Sequence, residues 1–160
     1  DYLGRVVSVD NALSLLDRDR DARARLIADP ALIAPAVDEV LRMESPNQFG
    51  NRQVTEAVTL HGVDIPKGAD LHLCIGAANR DPRVFEAPDT FDPARKPNRH
   101  LAFAGGPHIC VGLTLARMEG RIALSRFLDR YPDYRLKDGA ERGGRVRFRG
   151  WARLPAELRG

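Results

Sequence analysis

The sequence predicts a mainly helical chain with small β-sheets, because three stretches show helical periodicity and one alternates. Residues 6–28, 35–43 and 113–131 carry apolar side chains at spacings of three and four, which is typical of helices that pack on a core. Between Gln48 and Ile75 the apolar residues alternate instead, which predicts short strands. We therefore expect helices to dominate and the sheets to be small.

Length, composition and charge narrow the function classes. With 160 residues, 43% hydrophobic and 29% charged, the chain is long enough for one modest globular domain. The net charge is +3, and no run of Lys or Arg is interleaved with aromatic residues, so we expect no nucleic-acid partner. An apolar run of about 20 residues is also missing, so we expect no membrane span. The two cysteines suit a reducing cytoplasm, and the first residue is Asp rather than Met.

The first two helical stretches contain a predicted break and a predicted ion pair. Charged residues dominate 17–25, which predicts a break or a solvated turn, and Asp29-Pro30 ends the pattern. In the next stretch Glu39 and Arg42 lie three apart, so they share one helix face and can pair. Apolar neighbours on both sides predict that this pair is partly buried.

The alternating region contains two turns, an arginine and a cysteine. His61-Gly62 and the segment 66–68 predict tight turns between strands. Arg52 follows the pattern of an exposed strand arginine, and Cys74 that of a core thiol. Beyond it, residues 84–99 contain three prolines and no periodicity, and long ordered loops of this kind are usually functional.

A glycine-rich loop sets the second cysteine, Cys110, just before the last helical stretch. Near the first turn of a helix, free N–H groups and the helix dipole favour a thiolate. Three interpretations of this residue compete: a buried structural cysteine, a nucleophile with His108 as its base, and a thiolate ligand to haem iron. The first is the common fate of a single cysteine, and the second lacks the usual hydrolase signatures.

The spacing Phe103-x-x-Gly106-x-His108-x-Cys110-x-Gly112, followed by an Ala-Arg helix, resembles the haem-binding loop of the cytochrome P-450 family. The resemblance implies that Cys110 ligates the iron of haem b and favours haem ligation over the other interpretations. It implies that the other cofactor-binding residues are Phe103, Gly106, His108, Gly112 and Arg52, with Arg52 and His108 on the haem propionates. Ala104 stands where a glycine is common in the family.

The resemblance extends from about Ala12 to Leu154 and implies a partial fold. The run from Val37 to Arg42 is similar to the family's Glu-x-x-Arg helix, and Arg95 matches the arginine that completes its triad. We expect Glu39, Arg42 and Arg95 to be a structural lock for the haem loop, with no catalytic group in the chain. Residues 1–160 would then be a single partial domain, the C-terminal haem-binding portion of a mainly α cytochrome P-450 fold with small β-sheets.

The activity that the resemblance implies is that of a bacterial-type haem-thiolate monooxygenase, which inserts one oxygen atom of O2 into an organic substrate. Electrons would come from a ferredoxin-type donor docking near the Cys110 loop, in the cytoplasm. The alternative is a truncated, non-catalytic haem-binding remnant. It would lack the oxygen-activating helix and most of the substrate pocket, because no acid–alcohol pair occupies residues 3–5. A third interpretation is an interaction domain without a cofactor.

Three further expectations concern the last helix, the C-terminal segment and the remaining histidines. Residues 113–131 should form a buried or nearly buried helix, with Gly120 marking a close approach to a neighbour. The segment from Tyr134 to Leu154 should form short strands around glycine-rich turns. Its five arginines are expected to be solvated surface. The histidines outside the loop are expected to be surface or structural residues; they are His61, His72 and His100.

Overall fold

A computed structural model describes the backbone of residues 2–159 and the side chains of residues 9–159. Its helices are α1 (Tyr2–Arg18), α2 (Arg20–Ala28), α3 (Ile33–Met43), α4 (Ile75–Ala78) and α5 (Leu113–Arg130), with 3-10 turns at Pro30–Leu32 and Gly106–His108. Its strands are β1 (Phe49–Gln53), β2 (Val58–Leu60), β3 (Val63–Ile65), β4 (Asp70–Cys74), β5 (Arg135–Leu136), β6 (Glu141–Arg142), β7 (Trp151–Arg153) and β8 (Ala156–Glu157). The predicted mixture of helices with small sheets is confirmed.

The strands pair into two-stranded antiparallel sheets. They are β1 with β4, β2 with β3, β5 with β8 and β6 with β7. In the first sheet Arg52 lies opposite Leu71, and Phe49 lies opposite Cys74. The predicted turn between β2 and β3 is confirmed, since His61 and Gly62 both adopt positive φ, as a tight hairpin turn requires.

The core lies between α1, α3 and α5. Leu16, Val40 and Leu124 are almost completely buried there, and Tyr134 closes one end. The Tyr134 hydroxyl donates to the carbonyl of Leu13 at 2.6 Å, while the ring lies under an arginine of α2. This packing fixes α3 against α5, and both helices position the candidate site.

The predicted break in the first helical stretch is much shorter than expected. Only Asp19 separates α1 from α2, and its carboxylate accepts the Ala22 N–H at 2.9 Å as a helix N-cap. The charged residues 20–25 are helical, because α2 needs apolar side chains on one face only. The prediction of an acid–alcohol pair or its loss concerns residues 3–5, whose side chains lie outside the described residues.

Two predictions of burial are wrong. In α5 only Gly120, Leu124 and Leu128 are buried, because this helix packs on α1 and α3 along one side. Leu115, Met118 and Ile122 on its other side are 40–56% exposed. Cys74 does lie on a strand, but its thiol is exposed instead of being in the core.

The C-terminal segment forms strands only in part. Trp151 lies in β7, as expected, whereas Phe148 makes a single bridge with Asn47 and Val146 lies exposed in a turn. No helix among residues 2–159 is long and apolar enough to cross a membrane.

Candidate functional site

The loop before α5 is shaped by two residues in the left-handed region. Ala104 has φ +58° and Gly106 has φ +60°, a backbone region that residues with side chains rarely adopt. The Cys110 N–H then donates to the Phe103 carbonyl at 2.9 Å, which closes the loop on itself. Positive φ is a conformation that glycine adopts freely and alanine does not, which explains why Gly106 suits this loop.

The Cys110 thiol is exposed, so the interpretation of a buried structural cysteine does not hold. Its Sγ lies beside Gly112, where an added Cβ would come within 3.9 Å of the sulfur. Neither Gly105 nor Gly106 has an atom within 4 Å of the place that a side chain would occupy. The thiol therefore projects from a loop whose glycines leave open space. Within the described residues, no group of three or more His, Cys, Asp or Glu could hold a metal ion.

An open cavity of about 650 Å³ lies between this loop and the sheet of β1 and β4. Arg52 and His108 both line it, together with apolar residues such as Leu73 and Ile75, and none of the described residues in its walls carries a carboxylate. The Arg52 guanidinium donates to the Asn51 carbonyl at 2.7 Å and has no carboxylate partner among the described side chains. Phe103, Gly106, Cys110 and Gly112 belong to the adjoining loop and are not among the cavity walls.

The structure brings Glu39, Arg42 and Arg95 together in one cluster. Arg42 donates from Nε and Nη2 to the two carboxylate oxygens of Glu39, both at 2.8 Å, and both side chains are fully buried. Arg95 donates from Nε to the same carboxylate at 3.0 and 3.1 Å. The Asp92 N–H and the Asn98 amide complete the set at 3.1 Å each. One buried carboxylate therefore ties the irregular segment 84–99 to α3.

A second acidic residue on α3, Asp38, was not predicted from the sequence. It binds two side chains that contact Phe103 of the loop. Asp38 accepts from Arg117 Nε at 2.7 Å and lies 3.3 Å from His100 Nε2. The Ala102 N–H donates to His100 Nδ1, which assigns the ring proton to Nε2, facing Asp38. Both His100 and Arg117 contact the ring of Phe103, at 5.8 and 5.1 Å between centres. Burial alone would raise the pKa of Asp38, but the hydrogen bonds from His100 and Arg117 lower it below its ordinary value.

Glu44, at the end of α3, is a third anchor that the sequence did not reveal. Its carboxylate accepts from Arg149 and, at 3.3 Å, from Arg142, which ties the C-terminal segment to the core. Burial would raise the pKa of Glu44, but the hydrogen bond and charge of Arg149 lower it below its ordinary value. Two of the five arginines that were expected to be solvated therefore have a structural role. The only signal in the sequence was their clustering.

The family model for cytochrome P-450 matches residues 13–136. This chain belongs to the cytochrome P-450 family. Members of the family bind haem through a cysteine thiolate.

Relatives and solved structures give the extent of the match. The chain is 42% identical over 130 residues to the biotin biosynthesis cytochrome P-450 of Bacillus subtilis (strain 168), covering 81% of this chain and 33% of that protein. It is 47% identical over 125 residues to cytochrome P-450 107B1 of Saccharopolyspora erythraea, covering 78% of this chain and 31% of that one. The crystal structure of P-450 BioI, in complex with an acyl carrier protein ligated to hexadec-9Z-enoic acid, superimposes with a TM-score of 0.95 at 38% identity.

That superposition covers 98% of this chain and 41% of the other, so the fold is a portion of the cytochrome P-450 fold. The chain spans about a third of the length of the curated relatives it matches.

Proposed function

We propose that this chain holds haem b through the Cys110 thiolate and is the C-terminal haem-binding portion, residues 1–160, of a monooxygenase. The reaction would insert one oxygen atom of O2 into an organic substrate. When bound, the haem would supply the oxygen chemistry, because a thiolate ligand increases electron density at the iron and favours O–O cleavage. The observation that carries the proposal is the exposed thiol of Cys110 on a glycine loop beside a cavity without carboxylates.

The residues present fit such a group. Gly105 and Gly106 leave space in the loop that a side chain would occupy, so a flat cofactor could approach the backbone there. Arg52 and His108 line the adjoining cavity and face no acidic residue within it. We infer that they bind the two propionates, since a guanidinium pairs with a carboxylate in bidentate fashion. Phe103, Gly106 and Gly112 would hold the loop against the ring.

The Glu39, Arg42 and Arg95 cluster is proposed as a structural lock, with no contact to substrate. Its carboxylate fastens the segment that precedes the cysteine loop to a helix of the core. A structural lock of this kind preorganises the position of a ligand. We therefore expect that disrupting the cluster first reduces haem binding.

An electron donor of the ferredoxin type is proposed to dock where the loop meets solvent. Ile109 and Val111, on either side of the cysteine, are 55% and 104% exposed, so a partner could approach the thiolate side directly. A donor docked there would lie close to the proposed iron ligand, because the same loop carries both the exposed residues and Cys110. We also propose that the protein is cytoplasmic, because its two free thiols are compatible with a reducing compartment.

The second candidate is a non-catalytic haem-binding remnant, and the exposed side of α5 favours it. Leu115, Met118 and Ile122 present apolar surface there, and an apolar patch on a haem-binding piece promotes association. A chain that takes up haem but forms no oxygenated product with a reduced ferredoxin and a test substrate would match this candidate. Product formation would match the monooxygenase.

The test of haem binding is an absorption spectrum of the chain with haemin, reduced and exposed to carbon monoxide. We expect the red-shifted Soret band of thiolate–CO coordination, and we expect it to disappear in Cys110→Ser. Cys74→Ser is the matched control, because Cys74 is the other exposed thiol, and it should retain the band. Absence of haem uptake, or a band that depends on Cys74 instead, would overturn the proposal.

A further inference from the structure

We propose that the substrate carries a carboxylate and that Arg147 binds it at the wall of the cavity. This inference rests on the proposed function, because the same cavity would adjoin the haem. The substrate would be an amphiphilic organic acid, and Arg147 would determine the preference for it.

The position of Arg147 is fixed by backbone pairing with the segment that leads into β1. Its carbonyl accepts the Gln48 N–H at 2.8 Å, and the neighbouring Phe148 bridges Asn47. On the other side the Arg149 N–H donates to the Pro46 carbonyl at 2.9 Å. Hydrogen bonds on both sides therefore hold Arg147 where the C-terminal segment meets the cavity.

Arg147 differs from Arg142 and Arg149 in what it contacts. Arg142 and Arg149 are both bound to Glu44, as described above. Among the side chains at positions 9–159, no carboxylate pairs with Arg147, whose guanidinium lies 5.9 Å from the centre of the Phe148 ring. Arg147 lines the cavity, and none of the described residues that line it is acidic. An unpaired guanidinium in such a place attracts an anion, and its planar fork matches a carboxylate.

The rest of the cavity indicates what is attached to that carboxylate. Leu73, Ile75 and Leu101 give it apolar walls, which suit the hydrocarbon part of a ligand. Asn47 lines the same cavity as Arg147. The Nδ2 of its side-chain amide can donate a hydrogen bond to the head of an acid.

Arg52 and His108 do not replace Arg147 in this role. They are assigned to the propionates under the proposed function, which accounts for two negative charges with two groups. Arg147 is a third basic residue on the same cavity, so its charge is left for the substrate. The proposal therefore predicts that neutralising Arg147 leaves haem uptake intact.

The experiment compares decanoic acid with decanol on the haem-loaded chain by calorimetry. We expect the acid to bind about tenfold or more tightly than the alcohol, as charge-assisted hydrogen bonds would give. Arg147→Gln should raise the Kd of the acid about tenfold or more and change that of the alcohol less than about twofold. Arg147→Lys, which keeps the charge but not the fork, should retain part of the preference.

Arg145→Gln is the matched control, because Arg145 lies two residues away and outside this cavity. It should leave the preference for the acid unchanged. Equal losses for acid and alcohol, an equal effect of Arg145→Gln, or loss of haem from Arg147→Gln would each overturn the inference. Haem content is measured first, so failure of haem uptake refutes the proposed function, whereas normal uptake without an acid preference refutes only this inference.

Discussion

Replacing Glu39 with glutamine should unfasten the segment before the cysteine loop from the core. Each carboxylate oxygen accepts three hydrogen bonds: Oε1 from Arg42, Arg95 and the Asp92 N–H, and Oε2 from Arg42, Arg95 and Asn98. In Glu39→Gln an NH2 group replaces one of the two oxygens. In either orientation of the amide this NH2 group, itself a donor, lies opposite the three donors that the oxygen had bound. The neutral side chain also leaves the buried Arg42 guanidinium without a counter-charge.

The expected cost follows from that unpaired charge. Removing one partner of a buried ion pair destabilises by about 3–5 kcal/mol, a large part of the about 5–15 kcal/mol that stabilises a typical domain. For a chain of this size the midpoint of thermal unfolding should fall by about 6–20 °C. Arg42 also donates to the carbonyls of Asn79 and Pro88, so removing Arg42 as well should restore only part of the loss.

Urea unfolding followed by circular dichroism measures the loss, and hydrogen exchange locates it. Protection should fall most in residues 84–99, because the carboxylate ties that segment to α3. Glu157→Gln is the matched control, since Glu157 forms an exposed pair with Arg159 at 3.1 Å and should leave the free energy of unfolding nearly unchanged. The reasoning fails if both variants lose equally. Should Glu39→Gln not fold, Arg95→Gln at the rim of the cluster gives a smaller loss to compare.

Three further changes test other parts of the fold. Glu44→Gln should cost about 1–2 kcal/mol at neutral pH. The low pKa of Glu44 means that this stabilisation is full above its ordinary value of 4.5 and disappears as the pH falls through the lower folded-state value, so unfolding midpoints of the two proteins should converge in acid. Ala104→Gly should stabilise by about 0.5–1 kcal/mol in urea unfolding, because Ala104 has φ +58°. Gly120→Ala should destabilise by up to about 2 kcal/mol, because its Cβ would meet Val37 at 3.1 Å, yet stabilise by up to about 1 kcal/mol in a Val37→Ala background. The same sign in both backgrounds would contradict that contact.

Local rules predicted the parts of the fold that depend on near neighbours. The pairing of Glu39 with Arg42 follows from helix geometry, because residues three apart share a face. The close approach at Gly120, where Val37 lies opposite, followed from the cost of glycine in a helix. Arg95 is 56 residues from Glu39, so no local rule links them, and only the family resemblance suggested it.

Periodicity could not predict what lies against each face. Helix α5 is apolar on more than one side, so it was expected to be buried, but only the side against α1 and α3 is covered. Strand alternation likewise predicted that Cys74 lies on a strand, which is β4, but did not predict that its thiol is exposed. Glu44 escaped notice for a related reason: its partner Arg149 is 105 residues away, and a lone acid at a helix end gives no pattern.

The position of the exposed thiol depends on two carboxylates of α3, the partly buried Asp38 and the fully buried Glu39. Asp38 holds His100 and Arg117, both of which contact the Phe103 ring, and the Phe103 carbonyl accepts the N–H of Cys110. The next residue on α3, Glu39, holds the segment that leads into the loop. Because α3 is packed in the core, these two adjacent carboxylates restrain a loop that is itself open to solvent. The proposed role of Cys110 as a thiolate ligand would need both properties, a fixed direction and free access. The contacts of α3 provide the first, and the exposed side of the loop provides the second.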